Sequence, residues 1–190
     1  MVECFANYDS SMDQSTSRQA TPGHARPSIV RPELPLQFRL ATDADAAGII
    51  AVVNAAFSIE NFLEGTRTDE ARLAATMEKG SMLLAEDAAA NLLGCVYFEV
   101  RERRGYLGML AVDPAAQGRG LSRNIVHAAE ERLRAAGCEE VEIIVLNMRP
   151  DLLPIYRRFG FVETGKIPFT PSRTLKPGVE CHGIIMVKKL

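Results

Sequence analysis

No apolar run in this chain approaches the roughly 20 residues that a membrane-spanning helix needs, so no membrane association is expected. Cysteine is sparse: Cys4, Cys95, Cys138 and Cys181 are scattered without paired spacing. That excludes a disulfide scaffold and a thiolate metal site, and it points to reduced thiols in the cytoplasm. Histidine is sparser still, and His24, His127 and His182 share no ligand spacing, so no metal is expected. Positive charge is not in excess, with 22 basic against 24 acidic residues and a net charge of −2. A basic footprint for nucleic acid or for an anionic membrane surface is therefore absent. No Gly-Lys-Ser/Thr marks a P-loop, and the third glycine and downstream acid of a dinucleotide fingerprint are missing.

Large apolar residues are also few in residues 1–34, where Ser, Thr, Gly and Pro crowd together. This stretch is expected to be a disordered tail. Glu3, Asp9 and Asp13 against Arg18 give it none of the basic character of a transit peptide, and it lacks a signal-peptide core. The rest of the 190-residue chain, 47% hydrophobic overall, suffices for one core and one domain over 35–190.

What is present is periodic. Alternation at Leu36, Phe38 and Leu40 predicts a strand with those residues on one face. Thr42 and Asp45 form a capping-box pattern that opens a helix with Ile49, Val53, Ala56 and Phe57 inward. A shorter helix over Asp69 to Glu78 presents Leu73 and Met77. Strands at Met82–Glu86 and Leu92–Val100 flank a turn at Asp87–Asn91, and Arg101–Gly105 makes the next turn, read as a solvated hairpin. Tyr106–Val112 is a nearly unbroken apolar run of strand length, as a strand buried on both faces requires. After it, Leu121, Ile125, Val126, Ala129, Leu133 and Ala136 recur at helical spacing, with Arg123, Glu130, Glu131, Arg132 and Arg134 opposite. Gly137 stops that helix. Val141–Leu146 completes a right-handed βαβ unit with two parallel strands. A last strand is expected over His182–Val187.

The turn inside the βαβ unit carries the chemistry. Gly118 and Gly120 lack Cβ atoms, so the backbone can approach a bulky anion with its N–H groups outward, and Arg119 can add charge. The helix behind the turn contributes unpaired first-turn donors and the positive end of its dipole. On these grounds Gln117, Gly118, Arg119, Gly120, Leu121 and Ser122 are candidate diphosphate ligands.

Across Phe38 to Leu190 the chain resembles the GNAT family of acyl-CoA-dependent N-acyltransferases. Gln117, Gly120 and Ser122 stand at the positions of the family's pyrophosphate signature, with Ser122 departing from its Gly or Ala. Tyr156, Gly160 and Phe161 match its Tyr-x-x-x-Gly-Phe ending in full. The resemblance implies an α/β (α+β) fold: one mixed, mostly antiparallel sheet whose central parallel pair splays at the acyl-CoA site, with helices on both faces. It implies acetyl-CoA as co-substrate, and a small-molecule or peptide amine as acceptor, bound by a monomer or homodimer. The segments Ser58–Thr68 and Lys166–Glu180 are those expected to shape the acceptor site.

Acetyl transfer needs a deprotonated amine, a donor for the oxyanion and a proton for the departing thiolate. The resemblance implies that backbone groups of Leu110, Ala111 and Val112 hold the pantetheine arm and the thioester oxygen, and that Tyr156 protonates the thiolate. Asn147, at the end of the second parallel strand, is a candidate cofactor contact, although two prolines lengthen its path to Tyr156. Arg149 either fastens that loop, meets a substrate carboxylate or sits at the surface. The strand Tyr106–Val112 has no carboxylate, so the base is sought in Glu99, on one face with Tyr97 and Cys95, or in Glu60, in the loop between the first two helices. Water or self-deprotonation of the substrate is the remaining option. An acyl-CoA-binding module without catalysis is the alternative of another class.

Overall fold

A computed structural model describes residues 35–169 and 173–190. The tail expected over 1–34 lies outside the described residues. Seven strands form one sheet: β1 (Gln37–Leu40), β2 (Ser81–Glu86), β3 (Leu92–Arg101), β4 (Arg104–Val112), β5 (Glu140–Leu146), β6 (Val162–Pro168) and β7 (His182–Lys189). Their order is β1-β2-β3-β4-β5-β7-β6, antiparallel throughout except for β4 and β5. The helices are α1 (Ala46–Ala56), α2 (Glu70–Met77), α3 (Leu121–Ala135) and α4 (Leu153–Arg158).

Local chemistry starts the helices where expected. The Asp45 carboxylate accepts the Thr42 backbone N–H at 2.8 Å, and a single 3-10 turn over Asp43–Asp45 precedes α1. Asp69 accepts the Arg72 N–H at 2.9 Å and so caps α2. Gly137, at φ 86°, ends α3 in the left-handed conformation. The inward residues of α1 and α3, among them Ile49, Val53, Ile125 and Leu133, are fully buried. Each such side chain contributes about 1.5–3 kcal/mol through apolar surface removed from water.

Side-chain alternation along β4 assigns the helices to opposite faces. A Cβ at Gly105 would run into Leu133 of α3, whereas Tyr106 points into a cavity lined by Thr76 of α2. The absence of a side chain at Gly94 and Gly105 is what lets α3 lie close against the sheet.

Four expectations are corrected. Leu40 is half-exposed because β1 is the sheet edge and has only β2 beside it. Glu130, placed on the polar side of α3, is 1% exposed and accepts the Lys188 ammonium at 2.7 and 2.8 Å. Ala136 is the C-cap residue and is exposed. A strand, β6, occupies Val162–Pro168, so Lys166 belongs to the sheet edge rather than to a loop; its nearly uniform exposure gives no period-2 signal. Arg101, Arg103 and Arg104 stand exposed at the β3–β4 hairpin, as a solvated turn implies, and there pair with Glu99, Glu139, and both Glu140 and Glu142.

An added methyl at Gly94 would stand 2.6 Å from the Ala111 carbonyl oxygen and 2.9 Å from Ile125 Cδ1. Gly94→Ala is expected to lower unfolding free energy by about 1–3 kcal/mol. At Gly165 the nearest atom is 3.8 Å away, and Gly165→Ala should change it by less than about 0.5 kcal/mol. Urea midpoints at unchanged slope measure both.

Candidate active site

The site begins where two strands part. β4 and β5 pair only at Arg104↔Glu140, Gly105↔Val141 and Tyr106↔Glu142. Beyond these, β4 stays on β3 as far as Gly94↔Val112, and β5 stays on β7 as far as Leu146↔Gly183. The edges from Leu107 to Ala111 and from Ile143 to Val145 therefore face each other without strand pairing, inside a sheet that is otherwise continuous. Backbone N–H and C=O groups on such edges need partners, and an extended ligand can supply them. At the point of divergence β4 carries a bulge: Met109 and Leu110 together oppose Val96, and Met109 adopts φ 46°. A left-handed non-glycine residue inside a buried strand is a strained conformation that redirects the neighbouring amides.

At the open end of the splay β4 runs into the loop before α3. Gln117 Nε2 donates to the Val112 carbonyl at 3.2 Å and closes the loop on the strand. Gly118 and Gly120 both sit at φ near +75°, at 73° and 75°. Left-handed residues thus stand on either side of Arg119, and the first turn of α3 follows directly. Arg119 and Gly120 are exposed while Leu121 anchors the helix in the core. A glycine-bearing loop at a helix N-terminus suits a diphosphate, and the parted strands suit an amide-bearing arm leading from it.

Tyr156 lies on α4 at 2% exposure, with Phe159 and Phe161 each edge-on at 5.9 Å. Its local frame is a helix stop: the Phe161 N–H bonds the Tyr156 carbonyl and the Gly160 N–H that of Arg157, with Gly160 at φ 95°. The Gly-Phe half of the motif thus folds the chain back onto the tyrosine ring. Asn147 accepts the His182 N–H at 2.8 Å and donates to the Glu180 carbonyl at 3.4 Å. Its amide fastens the start of β7 to the end of β5.

The two candidate bases differ in their surroundings. Glu99 lines a cavity of about 340 Å³ beside Thr76, Lys79, Tyr97, Tyr106 and Met109. It accepts from Arg101 at 2.9 Å and from the Tyr97 hydroxyl at 3.1 Å, and the Arg101 guanidinium lies over the Tyr106 ring at 4.1 Å. The hydrogen bond from Arg101 foremost holds its carboxyl below the ordinary glutamate range. Glu60 is 3% exposed, in the loop after α1. Burial pushes its carboxyl up, against the opposing pull of Arg67, Arg173 and Arg149. Its Oε2 takes the Arg173 guanidinium, and its buried Oε1 has no hydrogen-bond partner.

The segments expected to shape an acceptor site do come together. Leu63 bridges to Leu175, the Glu64 N–H bonds the Thr174 carbonyl at 2.9 Å, and the Lys176 N–H bonds that of Phe62 at 3.1 Å. This seam surrounds Glu60 with charge that the sequence left unnoticed. Arg67 and Arg173 are 3% and 7% exposed, and Arg149, for which a surface position was one option, is 5% exposed. An arginine in a polar loop carries no local mark of burial; only the meeting of three distant segments creates it. Met109, likewise, shows no signal of its bulge in an apolar run.

Among the described residues, no helix is long and apolar enough to cross a membrane. Nor does any group of three or more His, Cys, Asp or Glu side chains among them stand where it could hold a metal.

A family model described as an acetyltransferase (GNAT) domain matches residues 41–170. Glucosamine 6-phosphate N-acetyltransferase 1 of Oryza sativa subsp. japonica is 34% identical over 108 residues, covering 53% of this chain and 64% of that enzyme. The chain spans less than two thirds of the length of the curated relatives it matches. Among solved structures, spermidine N-acetyltransferase from Vibrio cholerae in complex with CoA and spermine superposes with a TM-score of 0.65 at 20% identity, covering 81% of this chain and 95% of the other. A GNAT superfamily phosphinothricin acetyltransferase from Sinorhizobium meliloti in complex with AcCoA gives 0.63 at 20% identity, covering 82% and 88%.

The contrast between the carboxylates is measurable without any ligand. In a carboxyl-carbon NMR titration, Glu60 is expected to inflect above the ordinary glutamate value of about 4.3, and Glu99 below it. Coincident midpoints would refute the assigned environments.

Proposed function

The chain belongs to the GNAT acetyltransferase family, and from that premise we propose that it moves an acetyl group from acetyl-CoA to a primary amine by direct transfer in a ternary complex. The observation that carries this reading is the splay of β4 from β5, opening at one end onto the left-handed glycine loop before α3.

When bound, acetyl-CoA supplies an activated thioester. Gly118, Arg119, Gly120, Leu121 and Ser122 would hold its diphosphate on main-chain N–H groups, with Gln117 keeping the loop closed. Backbone groups of Leu110, Ala111 and Val112 would pair with the pantetheine arm as a substitute strand. A main-chain N–H of the bulged segment would then stabilise the oxyanion. Asn147 supports this arrangement from behind by tying β5 to β7.

For the acceptor, Glu60 is the better base. A carboxylate whose proton affinity is raised by burial takes a proton from an ammonium more readily than one depressed by an arginine contact, as Glu99 is. Tyr156 would return a proton to the departing thiolate. Direct transfer is supported by the thiols: burial pushes Cys95 up to about 12 and Cys181 to about 11, so neither is a ready nucleophile near neutral pH. A primary-amine acceptor accords with the names of the relatives, which include amino-sugar phosphate and polyamine acetyltransferases.

CoA release from acetyl-CoA across a panel of amines tests the reading, and binding without amine-dependent release would mean a non-catalytic module instead. Tyr156→Phe is expected to lower kcat by roughly 100-fold while the KM for acetyl-CoA stays within about twofold. An unchanged kcat removes Tyr156 from proton transfer. The rate falls as pH drops through the raised Glu60 value, so the acid limb of kcat/KM should lie above the ordinary glutamate range. It should vanish in Glu60→Gln and persist in Glu99→Gln; a limb lost only in Glu99→Gln reverses the assignment.

A further inference from the structure

The loop that carries Glu60 leaves α1 through a 3-10 turn over Phe57–Ile59 and reaches the Asp69 cap of α2 only after passing Gly65, at φ 73°. Ordering such a segment costs conformational entropy, and its buried main chain needs partners. Phe57, Glu60, Phe62, Leu63, Arg67 and Thr68 along it are nevertheless all buried.

One side chain closes this loop. Asn54, in the last turn of α1, donates from Nδ2 to the Thr68 carbonyl at 3.0 Å and accepts the Thr68 N–H on Oδ1 at 2.9 Å. Its amide satisfies both main-chain groups of one residue, as a neighbouring strand would, across 14 positions of the chain. Asparagine is a poor choice for a helix, because its short amide competes for nearby backbone groups. Its place in α1 is explained by the loop instead.

The clamp lies next to the groups that set the base. Arg67 immediately precedes Thr68, and its guanidinium stacks on the Phe57 ring at 4.5 Å, so the loop's departure and return meet at adjacent residues. Arg67 is also the foremost of the charges that oppose burial at Glu60, with Arg173, Arg149 and the Cys181 thiol facing the same carboxyl from other segments. The carboxyl has Oε2 on Arg173 and no hydrogen bond at Oε1, so the aim of Oε1 is set by the main chain beneath it. That main chain is fastened to α1 at its start, to residues 174–176 at its middle and to Asn54 at its end.

Resting on the reading of Glu60 as the base, we propose that Asn54 is a positioning residue for acetyl transfer: its amide pins the end of the Glu60 loop to α1 and so fixes where the Glu60 carboxyl stands. It acts through the loop and takes no part in proton transfer itself.

Asn54→Ala removes both bonds, whereas Asn54→Asp keeps the one from the Thr68 N–H and sets a carboxylate against the Thr68 carbonyl. In a loosened loop water reaches Glu60 and its carboxyl falls back toward the ordinary glutamate value, so the acid limb of kcat/KM moves to lower pH. In Asn54→Ala that shift is expected with a fall in kcat of about tenfold, while the KM for acetyl-CoA stays within about twofold; Asn54→Asp should fall between it and the parent. A merely structural role would lower the urea midpoint and leave the acid limb in place, so an unmoved limb in the folded variants overturns the proposal. So does a failure of both variants to fold, since Asn54 would then serve the fold as a whole. If the acid limb persists in Glu60→Gln, or if no amine reacts, it is the base assignment or the acetyl-transfer reading that has failed. The carboxyl-carbon titration of Glu60 then decides the clamp by itself: an inflection lowered in Asn54→Ala sustains it, and one unchanged from the parent overturns it.

Discussion

Everything in the site depends on a parallel ladder that stops after three residue pairs. A parallel pair is stabilised by hydrogen bonds along its length, and abandoning it exposes main-chain donors and acceptors in a region from which water is largely excluded. The protein tolerates this because each strand is held independently on its outer side, β4 by β3 and β5 by β7, over nearly its full length. The bulge at Met109 absorbs the change of direction. A gap made in this way is a built feature of a rigid sheet, and a ligand that supplies backbone-like groups completes it rather than displacing anything.

Two electrostatic environments flank that gap. On the α2 side, Arg101 and Tyr97 satisfy Glu99 and keep it ionised. At the end of β5, burial outweighs three guanidiniums and leaves Glu60 more basic than an ordinary glutamate. The same residue type is thus tuned in opposite directions by desolvation in one case and by a hydrogen-bonded cation in the other. Only the first condition suits a group that must gain and lose a proton near neutral pH.

The elements that carry dense local patterns were legible in the sequence. The apolar run of β4, the glycine loop, the amphipathic α3 and the Tyr-x-x-x-Gly-Phe ending each hold their information within about fifteen residues, where periodicity, capping and turn chemistry act. The helix caps at Asp45 and Asp69 follow from the same short-range hydrogen bonding. β6 escaped because an exposed edge strand has no buried face and hence no alternation. Glu130 misled for the opposite reason: its buried carboxylate is paired by Lys188, 58 residues away.

By itself the sequence determined six of the seven strands, the main helices and the loop that suits a diphosphate, because those rest on local backbone preferences and on repeated apolar spacing. Which carboxylate is basic, where the strands part and which arginines are buried were decided only by tertiary structure. Burial, charge proximity and strand pairing are sums over segments distant in the chain. Glu60, Arg67, Arg149 and Arg173 are ordinary polar-loop residues until the chain brings them into one low-dielectric seam.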